Sequence, residues 1–536
     1  MMFIRSTQCS GMTARGWNGK RIPLVSRPRL RWVCGRFVCV VLTLALLAGP
    51  SAAFAALGFG PPEPLNSWAA TDLNVIGGDS AVELATDGAG TWIAVWTWTD
   101  FNVTEDYDIA FARSVDNGAT WSVSAPLNTN WLPDSGDDWY HDVATDGAGT
   151  WIVVWTSDND LGGTIGSDED ILVSRSVDNG ATWSAPAALN AHAATDSGTT
   201  HDSRPQVLNA GTAGWVAVWE SHETLGGTIG SDKDLLMAWS TDGGVTWGSP
   251  TPFNSDAATD SLNRQDSTVH VTRGAGGYWV AAWMSYDILG GGTGSDWDIF
   301  VCRSTDDGTT WSSPTPLNTD PMTDIAWDMR PHVSTGGAGN WVVAWNSDSD
   351  LAGGIGSDED ILMSRSADNG ATWSVTAALN TNAATDSGTD DYPRLVFDGA
   401  GMWLAVWHSS QNLGGSIGSD DDIFVSRSTD SGATWTAPVA LNANARTDTG
   451  SDGGPCLVQG ASGRWLAAWT STDDLGGTIG TDPDILYSMS DSLEEPEVPA
   501  ASALGLLSAF CVLAAAGILR SARQPRRRER CRPAPG

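Results

Sequence analysis

Basic residues are scarce in this chain. Only 28 Lys and Arg stand against 64 Asp and Glu among 536 residues, for a net charge of −36 at pH 7. More than half of the basic residues lie near the two ends, so the central part is more acidic still. Such a surface repels nucleic acid and anionic membranes and favours cations, above all Ca²⁺. Cysteine is equally sparse where it would matter. Cys9, Cys34 and Cys39 lie near the start and Cys511 and Cys531 near the end, which leaves only Cys302 and Cys456 between them. A disulfide framework is thereby excluded, and packing must hold the fold together. Cys302 stands where other copies of a repeat carry Ser174 or Ser364, so it reads as an ordinary strand residue. No glycine-rich phosphate loop precedes a helix, there is no nucleophile elbow, and the histidines lack the spacing of zinc ligands.

What the chain does have is a repeat. The box Ser-x-Asp-x-Gly-x-Thr-Trp occurs six times at intervals of 62 to 64 residues: Ser114–Trp121, Ser176–Trp183, Ser240–Trp247, Ser304–Trp311, Ser366–Trp373 and Ser428–Trp435. A fixed period of this length marks a repeat architecture. Each box has the chemistry of a hairpin clasp. Its Asp accepts backbone N–H groups across a tight turn, its Gly takes positive φ, and its Trp buries a large ring.

Each period holds four β-rich runs bounded by Gly, Asn and Asp turns, which predicts a four-stranded antiparallel meander. In the second copy these are an inner strand near Val143, a second at Trp151–Trp155, a third at Ile171–Arg175 and an outer strand at Thr182–Ala187. The second strand is apolar on both faces, as expected where each sheet is sandwiched between two neighbours.

Tryptophan pairs of the second strand number seven: Trp92/Trp96, Trp151/Trp155, Trp215/Trp219, Trp279/Trp283, Trp341/Trp345, Trp403/Trp407 and Trp465/Trp469. The seventh unit stops after its third strand, Ile485–Ser490. At the other end Phe59–Asn66 copies the outer-strand pattern, with Phe59 in the place of the box tryptophan. The first segment therefore completes the last blade, and closure removes the exposed sheet edge. The expected fold is all-β: a seven-bladed β-propeller of four-stranded antiparallel blades over residues 56–492.

Residues 1–55 read as a signal segment. A basic stretch (Arg27, Arg29, Arg31, Arg36) leads into the apolar run Phe37–Leu47 and the small-residue cleavage site Ala53-Phe54-Ala55. Residues 493–536 combine the Pro motif Glu494-Glu-Pro-Glu-Val-Pro499, the apolar span Ala500–Leu519 and seven arginines from Arg520 to Arg532. They resemble the C-terminal sorting signals of bacterial surface proteins of the PEP-CTERM type; a plain single-span anchor shares the same features. Either way the propeller is expected to be exported, at the cell surface, in the outer envelope or outside the cell, touching a membrane only through this span or its sorting machinery.

The boxes resemble the Asp-box, or BNR repeat, of sialidases and related propellers. The seven units here exceed the six blades usual in sialidases. Because strand direction alternates, the boxes and the inner-to-second-strand turns share one face of the disc, and the long loops share the other. Function is expected on the loop face.

That face repeats an Asp-x-Asp pair just before the third strand in all seven units. Closely spaced carboxylates and glycine carbonyls suit a hard cation, so Asp158, Asp160, Asp168 and Asp170, and likewise Asp348, Asp350, Asp358 and Asp360, are candidate Ca²⁺ ligands. The alternative is that they are solvated turn residues. Eleven residues before the first tryptophan of the second strand, the pattern breaks: Ala81, Tyr140, Arg204, Thr268, Arg330, Tyr392 and Gly454 occupy equivalent places, with His141, His201, His332 and Arg394 nearby. These positions converge on the central mouth. The sialidase resemblance implies an arginine cluster for a substrate carboxylate, for which Arg204, Arg330 and Arg394 are candidates, and a Tyr–Glu nucleophile pair, for which Tyr140 or Tyr392 and Glu220 are candidates. Three functions are compatible with these residues: a non-catalytic binder of a glycan or other extracellular ligand, an exo-α-sialidase, or a structural surface protein.

Overall fold

The computed structural model describes residues 58–490 apart from 72–76, 101–105, 132–134, 196–197, 199, 260–264, 287–295, 319–324 and 461–462. The signal segment, the Pro motif, the C-terminal apolar span and the arginine tail expected from sequence lie outside the described residues. Among the described residues, no helix is long and apolar enough to cross a membrane.

Seven four-stranded antiparallel sheets follow one another in the chain. The first blade spans residues 77–126, the second 138–188, the third 202–252, the fourth 266–316, the fifth 328–378 and the sixth 390–440. The seventh begins at Asp452 and ends at Ser490, and Glu63–Pro64 is its outer strand. Glu63 pairs with Tyr487 and Pro64 with Leu486. The seam is extended by the Gly60 N–H on the Met489 carbonyl at 2.9 Å and the Leu65 N–H on the Ile485 carbonyl at 2.7 Å. Phe59 packs, partly buried, against the cluster between the sixth and seventh blades, as a substitute for the box tryptophan should.

The core is divided among the interfaces between blades. Seven apolar clusters each join the second and third strands of one blade to those of the next. The second strand is buried on both faces; Trp151–Ser157 has no exposed residue at all. Among the described residues the largest fully buried side chains are tryptophans of the second-strand pairs, and truncating one of them would cost about 3–5 kcal/mol.

The outer strands differ from expectation. They span two residues each, Ala187–Ala188 in the second blade instead of Thr182–Ala187. The reason is chemical: Ser184 Oγ caps the Arg175 N–H at 3.1 Å, and Pro186 then offers no N–H to the ladder.

The boxes form the expected clasp. Ser176 Oγ donates to Asp178 Oδ1 at 2.8 Å and accepts the Gly180 N–H at 2.9 Å, while Thr182 donates its N–H and hydroxyl to the two Asp178 oxygens at 2.9 and 2.7 Å. With the Thr182 hydroxyl as the largest cause, the Asp178 carboxyl is held down at about 2. Gly180 has φ of 71°, and a Cβ there would overlap Ile93 of the preceding blade. The box thus fastens neighbouring blades as well as its own hairpin.

Candidate functional site

The inner strand of every blade carries a register shift three residues along, between Ser203 and Gln206 in the third blade and at matching places in the other six. At each shift one residue takes positive φ: Ala81 (58°), Tyr140 (49°), Arg204 (53°), Thr268 (53°), Arg330 (52°), Tyr392 (56°) and Gly454 (57°). These are the seven pattern-breaking positions. A left-handed conformation at a bulky or β-branched residue costs on the order of 1–3 kcal/mol and persists only where neighbours hold it. At four of the seven positions the neighbour is the preceding blade, and at Tyr392 it is Asp391 of the same strand, whose Oδ1 accepts the Tyr392 N–H at 2.7 Å. The backbone N–H of Ala81 is taken by Thr470 Oγ1 (3.1 Å), that of Arg204 by Thr156 Oγ1 (3.0 Å), that of Thr268 by Glu220 (3.2 Å) and that of Gly454 by His408 Nδ1 (3.5 Å).

The bulge turns these side chains into the mouth, where they line one cavity of about 420 Å³ together with Arg394, His141 and His332. Read around the ring, the order is Ala, Tyr, Arg, Thr, Arg, Tyr, Gly, a near-mirror arrangement about Thr268. The Arg204 guanidinium lies 4.1 Å over the ring of Tyr140 and donates to its hydroxyl at 3.0 Å. On the other side Arg330 lies 4.1 Å over Tyr392, and one of its nitrogens donates to both oxygens of Asp391 at 2.8 and 2.6 Å. Tyr140 and Tyr392 remain 41% and 37% exposed, so each clamp presents an aromatic face and a cation to solvent.

Glu220 is 2% exposed. It accepts from Lys233 Nζ at 3.0 Å, from the Ser267 hydroxyl and from the Thr268 N–H, and Arg204 Nε stands 3.5 Å away. It therefore meets Tyr140 only through the guanidinium between them. One acid between two cations leaves the Arg204 side of the mouth with a surplus positive charge, whereas Arg330 is matched by Asp391.

Arg394 belongs to a second ring, one pleat further down the channel: Glu83, Asp142, Gln206, His270, His332, Arg394 and Cys456. Four of these accept a backbone N–H of the next blade: Asp142 from Val207 (2.8 Å), Gln206 from Val271 (2.6 Å), His270 from Val333 (3.3 Å) and His332 from Leu395 (3.3 Å). Arg394 pairs instead with Glu83 at 2.9 Å. His201 is not in the cavity; it lies on the loop face, 3.5 Å from Glu169. Sequence reasoning missed the second ring. The signal was available in the repeat register, because each member of the second ring stands two places after a pattern-breaking position in its unit.

Burial pushes His141 down to about 4, His270 to about 3 and His332 well below the ordinary range. Each is neutral in the folded protein and takes a proton below about 6.5 when unfolded. Stability from these groups is therefore complete above 6.5 and lost as pH falls from 6.5 towards 4, by at most about 1.4 kcal/mol per pH unit for each histidine. Asp142, pushed up to about 7 by burial and by Glu83, works in the opposite direction. The double variant His270→Gln/His332→Gln copies the Gln206 contact of the third blade. Its melting temperature should gain on the parent's as pH drops from 6.5 to 4; parallel pH profiles would refute this account.

The Asp-x-Asp pairs divide their labour. The second Asp of each is tied into a buried knot: Asn190 Nδ2 donates to Asp170 and to Asp202 at 2.7 Å each, and Asn190 Oδ1 accepts the Ile171 N–H at 3.2 Å. Asn380 does the same for Asp360 and Asp390, and Asn442 for Asp422 and Asp452. In the fifth and sixth blades the first Asp comes together with the second and with an aspartate of the crossover loop. Two such groups of three could hold a metal ion among the described residues, Asp358/Asp360/Asp386 and Asp420/Asp422/Asp448. Burial, with neighbouring carboxylates adding to it, pushes Asp360 and Asp422 up to about 7.

The leading acids of the loops are placed elsewhere. Asp158 Oδ1 accepts the Asp137 N–H at 2.6 Å, Asp160 Oδ1 the Gly162 N–H at 2.8 Å, and Asp348 Oδ1 the Trp327 N–H at 2.7 Å. The Asp350 carbonyl accepts the Gly353, Gly354 and Ile355 N–H groups. Asp168 accepts from Thr200 at 3.0 Å, and the crossover aspartate of its unit is outside the described residues.

Residues 282–474 match the family model of the BNR repeat-like domain. No curated protein matches the sequence. Among solved structures, the chain is similar to a protein of unknown function from Dyadobacter fermentans (16% identity, 66% of this chain and 94% of that one, TM-score 0.43). It is also similar to a Hadza microbial sialidase (15% identity, 80% and 68% coverage, TM-score 0.41). A third similarity is to an ulvan lyase of a polysaccharide lyase family (13% identity, 82% and 95% coverage, TM-score 0.44).

Proposed function

We propose that this BNR-repeat propeller binds an acidic saccharide at its mouth without cleaving it. One observation carries the reading: the arc Tyr140–Arg204–Thr268–Arg330–Tyr392 over a cavity of about 420 Å³. Guanidinium groups pair with carboxylates in a fork geometry. Exposed tyrosine rings offer flat apolar faces to sugar C–H groups, and Thr268 adds a hydroxyl between the two cations. Cleavage by a Tyr–Glu pair needs a carboxylate on the tyrosine hydroxyl, and the groups at hand are engaged otherwise. Tyr140 is held by Arg204, Glu220 by Lys233 and Ser267, and Asp391 by Arg330. Calcium is the cofactor that this reading assigns to the acidic loop face. Display outside the cytoplasm, expected from the two ends of the chain, belongs to the same proposal.

The test is calorimetric titration of the purified protein with uronic- and sialic-acid-containing oligosaccharides, each beside its carboxyl-reduced counterpart. Binding of the acidic forms and its loss on reduction is the expected result. Equal affinity for both would remove the arginines from recognition. Hydrolysis of a fluorogenic sialoside that disappears in Arg330→Ala would replace this reading by an exo-α-sialidase.

A further inference from the structure

We propose that the loop face of the fifth and sixth blades holds one Ca²⁺ ion in each, bound by Asp358, Asp360 and Asp386 in the fifth and by Asp420, Asp422 and Asp448 in the sixth. In each group one oxygen from every carboxylate lies within 4.8 Å of the others. The third ligand comes from the crossover to the next blade, so an ion there would tie the start of the third strand to the loop that leads into the neighbouring inner strand.

Two observations separate these groups from the acidic surface in general. Asp360 and Asp422 are wholly buried, with 0% exposure; the knot asparagine takes Oδ1 of each, and Oδ2 has no hydrogen-bond partner. A buried carboxylate oxygen left without a donor costs free energy unless a cation meets it. The orphaned atoms also include Asp358 Oδ2, Asp386 Oδ1, Asp420 Oδ2 and both oxygens of Asp448. Secondly, the loop backbone is shaped around the first ligand. A Cβ at Gly356 would overlap Asp358 Oδ1, and one at Gly418 would overlap Asp420 Oδ1.

No ion pair among the described residues involves any of the six aspartates. Three all-oxygen, anionic ligands in a protein-built cradle fit Ca²⁺, whereas Mg²⁺ keeps most of its water and uses fewer carboxylates. The sequence supports the assignment independently of the three-dimensional arrangement. An aspartate stands six residues after the knot asparagine in each of the seven units, although the loops between them vary. In the other five units that residue lies outside the described residues.

The experiment uses the whole protein, stripped with chelator and returned to Ca²⁺ or Mg²⁺. Bound calcium is counted by equilibrium dialysis with ⁴⁵Ca, and the melting temperature is followed in parallel. At least two ions per chain and a calcium-specific rise of about 5 °C are expected. The double variant Asp386→Asn/Asp448→Asn should lose two ions and most of that rise. In chelator it should melt no lower than the parent, because it removes like-charge repulsion, and that arm shows that it is folded. Asp350→Asn, outside the groups, should keep full stoichiometry. Absence of bound calcium in the parent, or unchanged stoichiometry in the double variant, would overturn the proposal.

Discussion

Deletion of residues 58–66 should leave no stable ring. The segment supplies the Gly60 and Leu65 N–H bonds to the last strand and accepts the Ser488 hydroxyl at 2.7 Å. Leu65 is only 2% exposed, and Asn66 is the donor that bridges Asp79 and Asp484, both buried. Three hydrogen bonds at about 1 kcal/mol, a buried leucine at about 2 and one donor lost by each of two buried carboxylates at about 1 each sum to roughly 7 kcal/mol. Native proteins hold about 5–15 kcal/mol in total. The expected outcome is aggregation or a fall in melting temperature of more than about 10 °C. Asn66→Ala alone should cost about 1–3 kcal/mol, since Asp79 and Asp484 each lose one donor while Asp79 keeps the N–H groups of Trp68 and Trp96. Scanning calorimetry of the two variants checks this. A truncated protein that melts with the parent would mean that the seam is ornamental.

Arg204→Ala should weaken acidic-saccharide binding about 100-fold or more, equivalent to about 2.7 kcal/mol. Arg330→Ala should weaken it only about tenfold, equivalent to about 1.4 kcal/mol. The difference follows from charge. Glu220 faces two cations, Arg204 and Lys233, so one positive charge is uncommitted on that side. Arg330 is already answered by Asp391 at 2.6 Å. Arg204→Lys should not restore affinity, because an ammonium can neither stack flat on Tyr140 nor pair in a fork. Calorimetric titration of the three variants decides it. Losses of less than twofold in all of them would place the ligand away from the mouth.

Architecture was legible because repeats advertise themselves. Two tryptophans four residues apart mark each second strand, and counting them gave seven blades where counting boxes gave six. Phe59 could be recognised as the missing ring because Pro and Leu-Asn follow it at the same spacing as in the complete outer strands. The site was legible only in part. The seven divergent positions were visible as breaks in the pattern, but not the reason for them. A bulge inserts a residue and re-aims its side chain, which no alternation of polar and apolar residues reveals.

Arg394 was grouped with Arg204 and Arg330 by residue type, yet its place two residues beyond the bulge sends it down the channel to Glu83. Similarly, the Asp348-x-Asp350 spacing matches a cation loop, but the Asp348 carboxylate is taken by the Trp327 N–H of the preceding crossover and Asp350 closes its loop through its main-chain carbonyl. The carboxylates that do converge, Asp358 and Asp386, come from separate segments brought together by the crossover.

The seam at Glu63 and Tyr487 also fixes an order of events. Asn66 and Asp484 are 418 residues apart, and joining ends that distant in a flexible chain costs about 5 kcal/mol in entropy. Blades one to six can each form from neighbours in the chain, with local contacts that assemble quickly. The strand synthesised first must wait, unpaired, until the third strand of the last blade exists. Completion of the ring is therefore a late, single step. Until it occurs the nascent protein carries one open sheet edge at its growing end, which is the interval in which a holding factor or a self-pairing error would act.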